Sequence, residues 1–169
     1  MSPRLLRFLR HASTGQRAVQ RAFPADAMEQ IAQAVRDCEA RHAGEIRFAV
    51  ESSLPLDAAW HGVTARERAL DVFSQLCVWD TEHNNGVLIY LLLADRAVEI
   101  VADRGVARER VAPSEWDAAC RAMEQHLRDG QYLDAVRSGI AAVADVLARH
   151  PPQFPDAGNE LPDAPVVLR

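Results

Sequence analysis

Apolar residues recur at helical spacing in four segments of the central part of the chain. Between Pro24 and Gly44 the apolar stripe consists of Met28, Ile31, Val35 and Cys38. The next stripe ends near Asp80 and consists of Ala69, Val72, Phe73, Leu76 and Cys77. Two further stripes follow a predicted helix cap at Ser114 and are separated by Gly130: Trp116, Cys120, Met123 and Leu127, then Tyr132, Val136, Ile140, Val143 and Leu147. Spacings of three and four residues predict amphipathic helices in all four segments.

Three segments between these helices have the patterns of strands. Glu45 to Glu51 alternates apolar and polar residues, which predicts a strand with one solvated face or an edge position. Gly86 to Leu93 is continuously apolar and predicts a central strand covered on both faces. The short connection Ala94 to Arg96 leads into Ala97 to Ala102, which predicts an antiparallel hairpin. We therefore expect an α/β domain with a small mixed sheet, built from a strand-helix-strand crossover, a hairpin and covering helices.

The two ends of the chain differ from this central domain, which we place at residues 23–149. Residues 1–22 predict a basic amphipathic helix, broken near Gly15, that contains no acid and five arginines: Arg4, Arg7, Arg10, Arg17 and Arg21. It either lies on the domain surface or contacts anionic lipid or an acidic partner. Residues 150–169 are rich in proline and predict an extended tail. That tail is either disordered or docks its apolar end, Val166 to Leu168, against an edge strand.

Composition narrows the classes of function. The 169 residues carry a net charge of −5, which argues against general nucleic-acid binding. The absence of lysine excludes Schiff-base chemistry and a phosphate-binding P-loop. An odd number of cysteines at apolar helix positions predicts reduced packing residues at Cys38, Cys77 and Cys120. The longest apolar run is far shorter than the roughly 20 residues that span a bilayer, and no signal-peptide segment precedes it, so we expect a cytoplasmic protein.

Oxygen-bearing side chains are predicted to meet at one end of the sheet. Strands joined by a crossover helix normally run parallel, so the strands starting at Glu45 and Gly86 should begin at the same end. The antiparallel third strand finishes there, next to Asp103. We call this the amino end of the sheet, and its candidate side chains are Glu45, Asn84, Asn85 and Asp103, with Asp80 and Glu82 in the preceding loop.

A set of carboxylates and carboxamides without cysteine or histidine is suited to Ca²⁺ or Mg²⁺ rather than to zinc. The amino end is therefore a candidate site for one of these hard cations. The alternative is structural: Asn84 and Asn85 serve as turn residues, Asp103 caps the next segment and Glu45 is solvated.

The opposite, carboxyl end of the sheet remains a rival location. In open α/β sheets, ligands usually bind beyond the carboxyl ends of the parallel strands, which here means Glu51, Ser52, Ser53, Asp95 and Arg96. Common hydrolase, zinc-protease and dinucleotide motifs are absent from the sequence, and no nucleophile with an adjacent base is visible.

A set of short motifs in a fixed order resembles the TPM domain family over about residues 24–149. The motifs are Gly44-Glu45-Ile46, Phe73 in the crossover helix, Asn85-Gly86-Val87-Leu88-Ile89, Asp95-Arg96, Asp103-Arg104-Gly105-Val106, Trp116 and Gly130-Gln131-Tyr132. The resemblance implies a three-layer, Rossmann-like α/β/α sandwich. It also implies divalent-cation binding, since similar members of the family have been described as binding such cations, especially calcium. Other members look like accessory proteins of membrane complexes. A plant relative has been linked to acid phosphatase activity.

Carried over residue by residue, the resemblance favours Asp103 as a metal ligand, then Asn85 and Glu45, with Asp80 and Asn84 as weaker additions. We expect a noncatalytic interaction module that binds Ca²⁺ or Mg²⁺ and associates with a protein partner in a membrane complex. Residues 1–22 would then contact the inner membrane face. The alternative is a metal-assisted phosphomonoesterase.

Overall fold

A mixed sheet of four strands lies at the centre of the structure, a computed structural model that describes residues 2–107, 111–150 and 158–168. Along the chain the elements are α1 (Pro3–Ser13), α2 (Gln16–Ala22), α3 (Ala25–Glu39), β1 (Glu45–Glu51), α4 (Leu56–His61), α5 (Ala65–Gln75), β2 (Gly86–Leu92), β3 (Ala97–Ala102), α6 (Arg104–Ala107), α7 (Pro113–Arg128), α8 (Tyr132–Arg149) and β4 (Val166–Leu168). Three prolines on which the extended tail was predicted, Pro151, Pro152 and Pro155, lie outside the described residues.

The sheet has the strand order β3-β2-β1-β4. β1 and β2 are parallel, with Glu45 opposite Gly86 and Glu51 opposite Leu92. β2 and β3 form an antiparallel hairpin in which Val87 is opposite Ala102. The predicted crossover, hairpin and central position of β2 are therefore confirmed. β1 and β2 begin, and β3 ends, at the amino end of the sheet.

Helices cover both faces of this sheet, because alternate residues of the inner strands are apolar on each side. One face carries Phe48 and Ile89 and packs against α2, α3, α7 and α8. The other carries Leu88 and Tyr90 and packs against α4 and α5. The result is the three-layer α/β/α sandwich that the sequence predicted.

The segment after residue 157 completes the sheet. Val166, Val167 and Leu168 pair in parallel with the carboxyl half of β1, which confirms the docking alternative for this apolar end. β1 is consequently an inner strand, and the prediction of a solvated face or edge position was wrong for its two glutamates. Glu45 is 3% exposed and Glu51 is 1% exposed, because each carboxylate has hydrogen-bond donors inside the fold.

The crossover helix α5 ends earlier than its apolar stripe predicted, at Gln75 instead of near Asp80. The Val78 N–H bonds to the Phe73 carbonyl, and the Cys77 N–H bonds to the Ser74 carbonyl, which together form a Schellman motif. Cys77 takes the left-handed conformation of that motif (φ 51°) and is exposed. Its predicted packing role was therefore wrong, whereas Cys38 is buried as expected.

The beginnings of two helices also differ from the prediction. Proline is favoured at the first helical position, so α7 starts at Pro113 with Ala112 as its cap and Ser114 inside the first turn. A further short helix, α4, follows Pro55, where only a turn was predicted. The break between α1 and α2 at Thr14 and Gly15 is as predicted.

Candidate functional site

The loops at the amino end of the sheet are held together by backbone hydrogen bonds. The Asp103 N–H donates to the Gly86 carbonyl (2.9 Å), and the Gly105 N–H donates to the Asn84 carbonyl (2.9 Å). A Cβ atom at Gly105 would lie 2.3 Å from the His83 carbonyl oxygen and 2.5 Å from that of Asn84. Only glycine permits this approach, which brings the Asn84–Asn85 turn against the residues that follow β3.

Two buried side-chain oxygens at this end lack a hydrogen-bond donor among the described residues, namely Asn85 Oδ1 and Asp103 Oδ2. Asn85 is fixed by two other bonds, since its Nδ2 donates to the Ala43 carbonyl and its backbone N–H donates to Thr81 Oγ1. The other oxygen of Asp103, Oδ1, accepts the Arg104 N–H at 2.7 Å. Buried polar atoms are nearly always paired, so this pair of acceptors marks a place suited to a cation or a water molecule.

The other predicted ligands are engaged differently. Glu45 Oε2 accepts the backbone N–H groups of Glu160 (3.2 Å) and Leu161 (3.0 Å), so this carboxylate fastens the C-terminal segment. Asn84 Oδ1 accepts a hydrogen bond from Arg104 Nε (3.1 Å). Asp80 is exposed, one step before the buried Thr81. The structure therefore brings Glu45, Asn84, Asn85 and Asp103 to one end of the sheet, as predicted. Of these four residues, Asn85 and Asp103 each have a buried acceptor oxygen with no donor in the described part of the chain.

Acidic groups crowd a neighbouring part of the amino end. The Glu39 carboxylate, at the end of α3, accepts the Ile46 N–H (2.7 Å) near Glu45 and Asp163. Burial, followed by the charges of those two acids, raises the pKa of Glu39 to about 8, although the bond from Ile46 opposes the shift. Glu39 is therefore protonated at neutral pH.

A hard cation partly fits the amino end. Asn85 Oδ1 and Asp103 Oδ2 are oxygen donors of the type that Ca²⁺ and Mg²⁺ take, and the Asp103 carboxylate would supply charge. Across residues 2–107, 111–150 and 158–168, no three acids, histidines or cysteines are grouped so as to hold a metal ion. Most of the coordination shell would consequently come from backbone carbonyls and water.

The carboxyl end of the sheet is dominated by cations that converge on Asp95, in the hairpin turn. Arg7 Nε donates to Asp95 Oδ2 (2.9 Å) and Arg10 Nη2 donates to Oδ1 (2.7 Å), which fastens α1 to the turn. Burial alone would raise the pKa of Asp95, but the hydrogen bond and charge of Arg7 and the nearby His11 lower it. Two of the arginines that suggested lipid binding are thus committed to an internal contact.

His11 was missed as a site residue by sequence reasoning. Its Nδ1 accepts the Leu54 N–H (3.0 Å), so Nε2 carries the proton of the neutral ring and faces Asp95 Oδ1 at 3.2 Å. Burial lowers the pKa of His11, and Asp95 opposes the shift only in part. The spacing of Arg7, Arg10 and His11 places them on one helical face and was the available signal.

Glu51, a candidate at the carboxyl end, is part of an internal network. Arg68 donates to both of its carboxylate oxygens (2.9 Å each), and the Tyr90 hydroxyl donates to Oε2 (2.6 Å). Burial and the Glu51 charge raise the pKa of Tyr90, while the bond to Glu51 raises that of Arg68. Ser52 is buried beside this network, and its carbonyl accepts the Ala94 N–H.

A cavity of about 670 Å³ opens beside the hairpin turn. Its charged lining residues are Arg10, Arg21, Asp95 and Arg96, and its walls include Leu93 and Tyr132. Among the described residues the amino end has a smaller opening, of about 280 Å³, whose lining includes Glu39, Glu45 and Asp163. The space beside Asn85 and Gly105 is only about 10 Å³.

The layer order and the crossover followed by a hairpin define a small Rossmann-like α/β domain with polar groups at both ends of its sheet. The sequence profile of the TPM domain matches residues 20–146, and the chain belongs to that family. No curated protein matches the chain significantly.

Solved structures agree with this assignment. The BA42 protein of the psychrophilic bacterium Bizionia argentinensis is 29% identical, with a TM-score of 0.74 over 86% of this chain and 95% of that one. The N-terminal domain of a P. gingivalis protein (24% identity, TM-score 0.55, 78% of this chain and 82% of that one) shares the fold. So does the N-terminal domain of cg2496 from Corynebacterium glutamicum (15% identity, TM-score 0.53, 87% and 80%).

Proposed function

We propose that this TPM domain protein is a noncatalytic accessory module that binds a divalent cation, Ca²⁺ or Mg²⁺, at the amino end of its sheet. The observation that carries the proposal is a pair of buried acceptors, Asn85 Oδ1 and Asp103 Oδ2, that find no donor among the residues that the structure describes. A cation bound by these oxygens would remove the cost of burying them unpaired.

The surrounding contacts support these two residues as the ligands. The bond from Asn85 Nδ2 to the Ala43 carbonyl turns Oδ1 away from that carbonyl, and the Arg104 N–H holds Asp103 through its other oxygen. Glu45 adds negative charge nearby while it holds the C-terminal segment. With one carboxylate and one amide as ligands, affinity should be weak, about 10⁻⁴–10⁻³ M.

A titration followed by NMR tests the cation site. Adding CaCl₂ or MgCl₂ to ¹⁵N-labelled protein should produce saturable shifts at the amides of Asn85, Asp103 and Gly105. Asp103→Asn keeps the shape of the side chain and should abolish them. Asp26→Asn, which removes an exposed carboxylate from the first turn of α3, is the matched control and should change nothing. Absence of saturable shifts in the wild-type protein would sink the proposal.

The same samples test the catalytic alternative. Within the described residues, the hydrogen bonds of Asn85 and Asp103 go to backbone groups and to the Thr81 hydroxyl rather than to a side chain that could serve as a base, which favours binding over catalysis. Metal-dependent phosphate release from phenyl phosphate, lost in Asp103→Asn but retained in Asp26→Asn, would replace the noncatalytic function with a phosphomonoesterase.

The accessory role extends to α1, which we place against an anionic membrane on the cytoplasmic side. Leu6 is 47% exposed and Leu9 46%, and Trp60, which packs edge-on against Phe8 at 5.5 Å, is 59% exposed. These residues form an apolar strip on the surface, with Arg4 exposed beside it. Within the described residues no helix is long and apolar enough to cross a bilayer. Burial of the strip would hold the domain at the surface of a membrane.

Co-sedimentation with vesicles tests this contact. Vesicles containing phosphatidylserine should bind the protein, and added salt should weaken binding because exposed arginines contribute. Leu6→Glu should reduce binding severalfold. Leu70→Glu, at a similarly exposed leucine on α5, serves as the control. Equal binding by the wild type and Leu6→Glu contradicts the contact.

A further inference from the structure

We infer that the cavity at the carboxyl end of the sheet binds a small organic oxyanion, by preference a phosphomonoester. Three arginines line it against one aspartate, which leaves a formal surplus of two positive charges around the opening: Arg10, Arg21, Arg96 and Asp95. The whole chain has a net charge of −5, so this concentration of arginine is local. A phosphate dianion matches the surplus, and guanidinium groups are the side chains best suited to bind it.

The single acid in the lining, Asp95, is already counted in this surplus and also has cationic partners outside the cavity. Arg7, which is not part of the lining, donates to Asp95 Oδ2 at 2.9 Å from the α1 side. His11 Nε2 lies 3.2 Å from Oδ1 on the same side. Asp95 therefore has partners outside the cavity. Arg10 donates to Asp95 through Nη2, but its side chain is 56% exposed, so its other N–H groups remain available to a ligand.

Arg96 has a backbone conformation and a side chain that packing within the fold does not explain. Its backbone is left-handed (φ 50°), a conformation that favours glycine or asparagine in a turn. Its side chain is exposed and makes no hydrogen bond or ion pair with any residue that the structure describes. A strained residue with a free guanidinium at the mouth of a cavity is a mark of function rather than of packing.

Arg21 supplies the second available cation. Its Nε donates to the Arg17 carbonyl one turn earlier in α2, which orients the side chain, and it has no ion-pair partner in the described ranges. The cavity thus combines Arg96 from the hairpin turn with Arg10 and Arg21 from the two N-terminal helices.

The uncharged walls indicate that the ligand has an organic body. Leu93, Ala18 and Ala22 form apolar surface beside the arginines, and Tyr132 adds an aromatic ring. That ring is held edge-on against Phe23 with centroids 6.0 Å apart. The volume of about 670 Å³ is in the range of small-molecule sites and exceeds what inorganic phosphate needs.

This cavity is separate from the proposed cation site. β2 contributes seven residues between the two ends of the sheet, which places them about 20 Å apart at the usual rise per residue. One small ligand cannot contact Asp103 and Arg96 together. The cavity is therefore independent of the cation, and its test is run in the presence of EDTA.

Phenyl phosphate is the probe. Titrated into ¹⁵N-labelled protein at constant ionic strength, it should give saturable shifts at the amides of Ala94, Arg96 and Tyr132. Inorganic phosphate should bind several times more weakly because it lacks the ring, and benzoate should bind more weakly because it has one charge. Sodium chloride at the same ionic strength should give no saturable shift.

Three variants separate binding from folding. Arg96→Gly and Arg21→Gln should each weaken phenyl phosphate at least about tenfold, since each removes a charge-assisted bond. Arg96→Gly also relieves the left-handed backbone, so a loss of binding in a protein at least as stable as the wild type is not misfolding. Arg17→Gln removes an equal charge from α2 outside the cavity and should retain binding.

The inference is overturned if phenyl phosphate gives no saturable shift, or if chloride reproduces the shifts. It is also overturned if Arg96→Gly binds as tightly as the wild type, or if Arg17→Gln loses as much affinity as Arg21→Gln. Inorganic phosphate that binds as tightly as phenyl phosphate would contradict the organic body of the ligand.

Discussion

The two ends of the sheet are built from opposite charges. At the amino end, burial and neighbouring acids raise the pKa of Glu39 to about 8, so this carboxyl keeps its proton at neutral pH. At the carboxyl end, arginines and a buried histidine surround Asp95, whose pKa is lowered. The stability that each end contributes to the fold should therefore change with pH in opposite directions.

The sign of each response follows from proton linkage. Native Glu39 keeps a proton that the unfolded chain gives up near pH 4.5. Its contribution to the free energy of unfolding is therefore fully present below that pH and is lost as pH rises towards 8. The pKa of His11 in the native protein is lowered from its ordinary value of 6.5, so the unfolded chain binds a proton more readily. Stability is therefore lost as pH falls below 6.5. The pKa of Asp95 is lowered from 3.8, so protonation of this carboxylate causes a further loss of stability in stronger acid.

The largest effect is expected at the buried network of the carboxyl end. Glu51→Gln leaves Arg68 without its carboxylate and should lower the free energy of unfolding by about 3–5 kcal/mol, measured by urea denaturation. Tyr90→Phe removes one hydrogen bond from the same carboxylate and should cost only about 1–2 kcal/mol. A loss below that range for Glu51→Gln would mean that the ion pair is not a major support of this end.

Removal of the charge in the hairpin turn should have a smaller effect. Asp95→Asn keeps the shape of the side chain but weakens its bonds to Arg7 and Arg10, and should lower stability by about 2 kcal/mol at pH 7. Glu29→Gln breaks the exposed pair with Arg36 and should cost less than about 0.5 kcal/mol. Equal losses in the two variants would show that Asp95 behaves as an ordinary surface acid.

At the amino end, removal of a carboxyl should stabilise the protein. Glu39→Gln keeps an oxygen for the Ile46 N–H but has no charge to bury, so stability at pH 9 should rise on the order of 2 kcal/mol. At pH 4.5 the variant and the wild type should be nearly equal, because the wild-type carboxyl is then protonated when folded. Asp37→Asn, an exposed acid on the same helix, is the control. A pH profile unchanged by Glu39→Gln contradicts the assignment.

The smallest difference concerns the turns, each of which holds a left-handed residue. Asn84 (φ 52°) is well suited to that conformation, whereas Arg96 (φ 50°) is not. Thermal denaturation should show Arg96→Gly more stable by up to about 1 kcal/mol, and Asn84→Gly changed by less or destabilised, because Asn84 also binds Arg104. A destabilised Arg96→Gly would remove the evidence for strain at the cavity.

The elements of this fold were readable from the sequence where one pattern dominates. The continuous apolar run of β2 and the stripes of α3, α7 and α8 are set by burial, which acts over the whole segment. Helix ends depend on single residues. Cys77 took a left-handed position usually filled by glycine, and Pro113 displaced Ser114 from the cap, so both boundaries were misplaced.

The sites were predictable only in part, because charge partners are distant in sequence. Topology alone brought Asn85 and Asp103 to one end of the sheet. It gave no means to see that Glu45 would bind the backbone of residues 160 and 161, or that Arg7 would reach Asp95. An alternating pattern of charged and apolar residues cannot distinguish a solvated glutamate from one that meets its partner more than a hundred residues later.

The parallel pairing of β4 with β1 has a consequence for the order of folding. Val166 pairs with Ala49 across a long stretch of chain, and because the entropy of closing that loop must be paid first, we expect this contact to form after the local ones. During that interval β1 presents unpaired N–H and C=O groups along one side, which are open to another strand. A peptide with the sequence of residues 158–168 should therefore bind refolding protein and slow its recovery, by occupying the position that the chain's own β4 must reach.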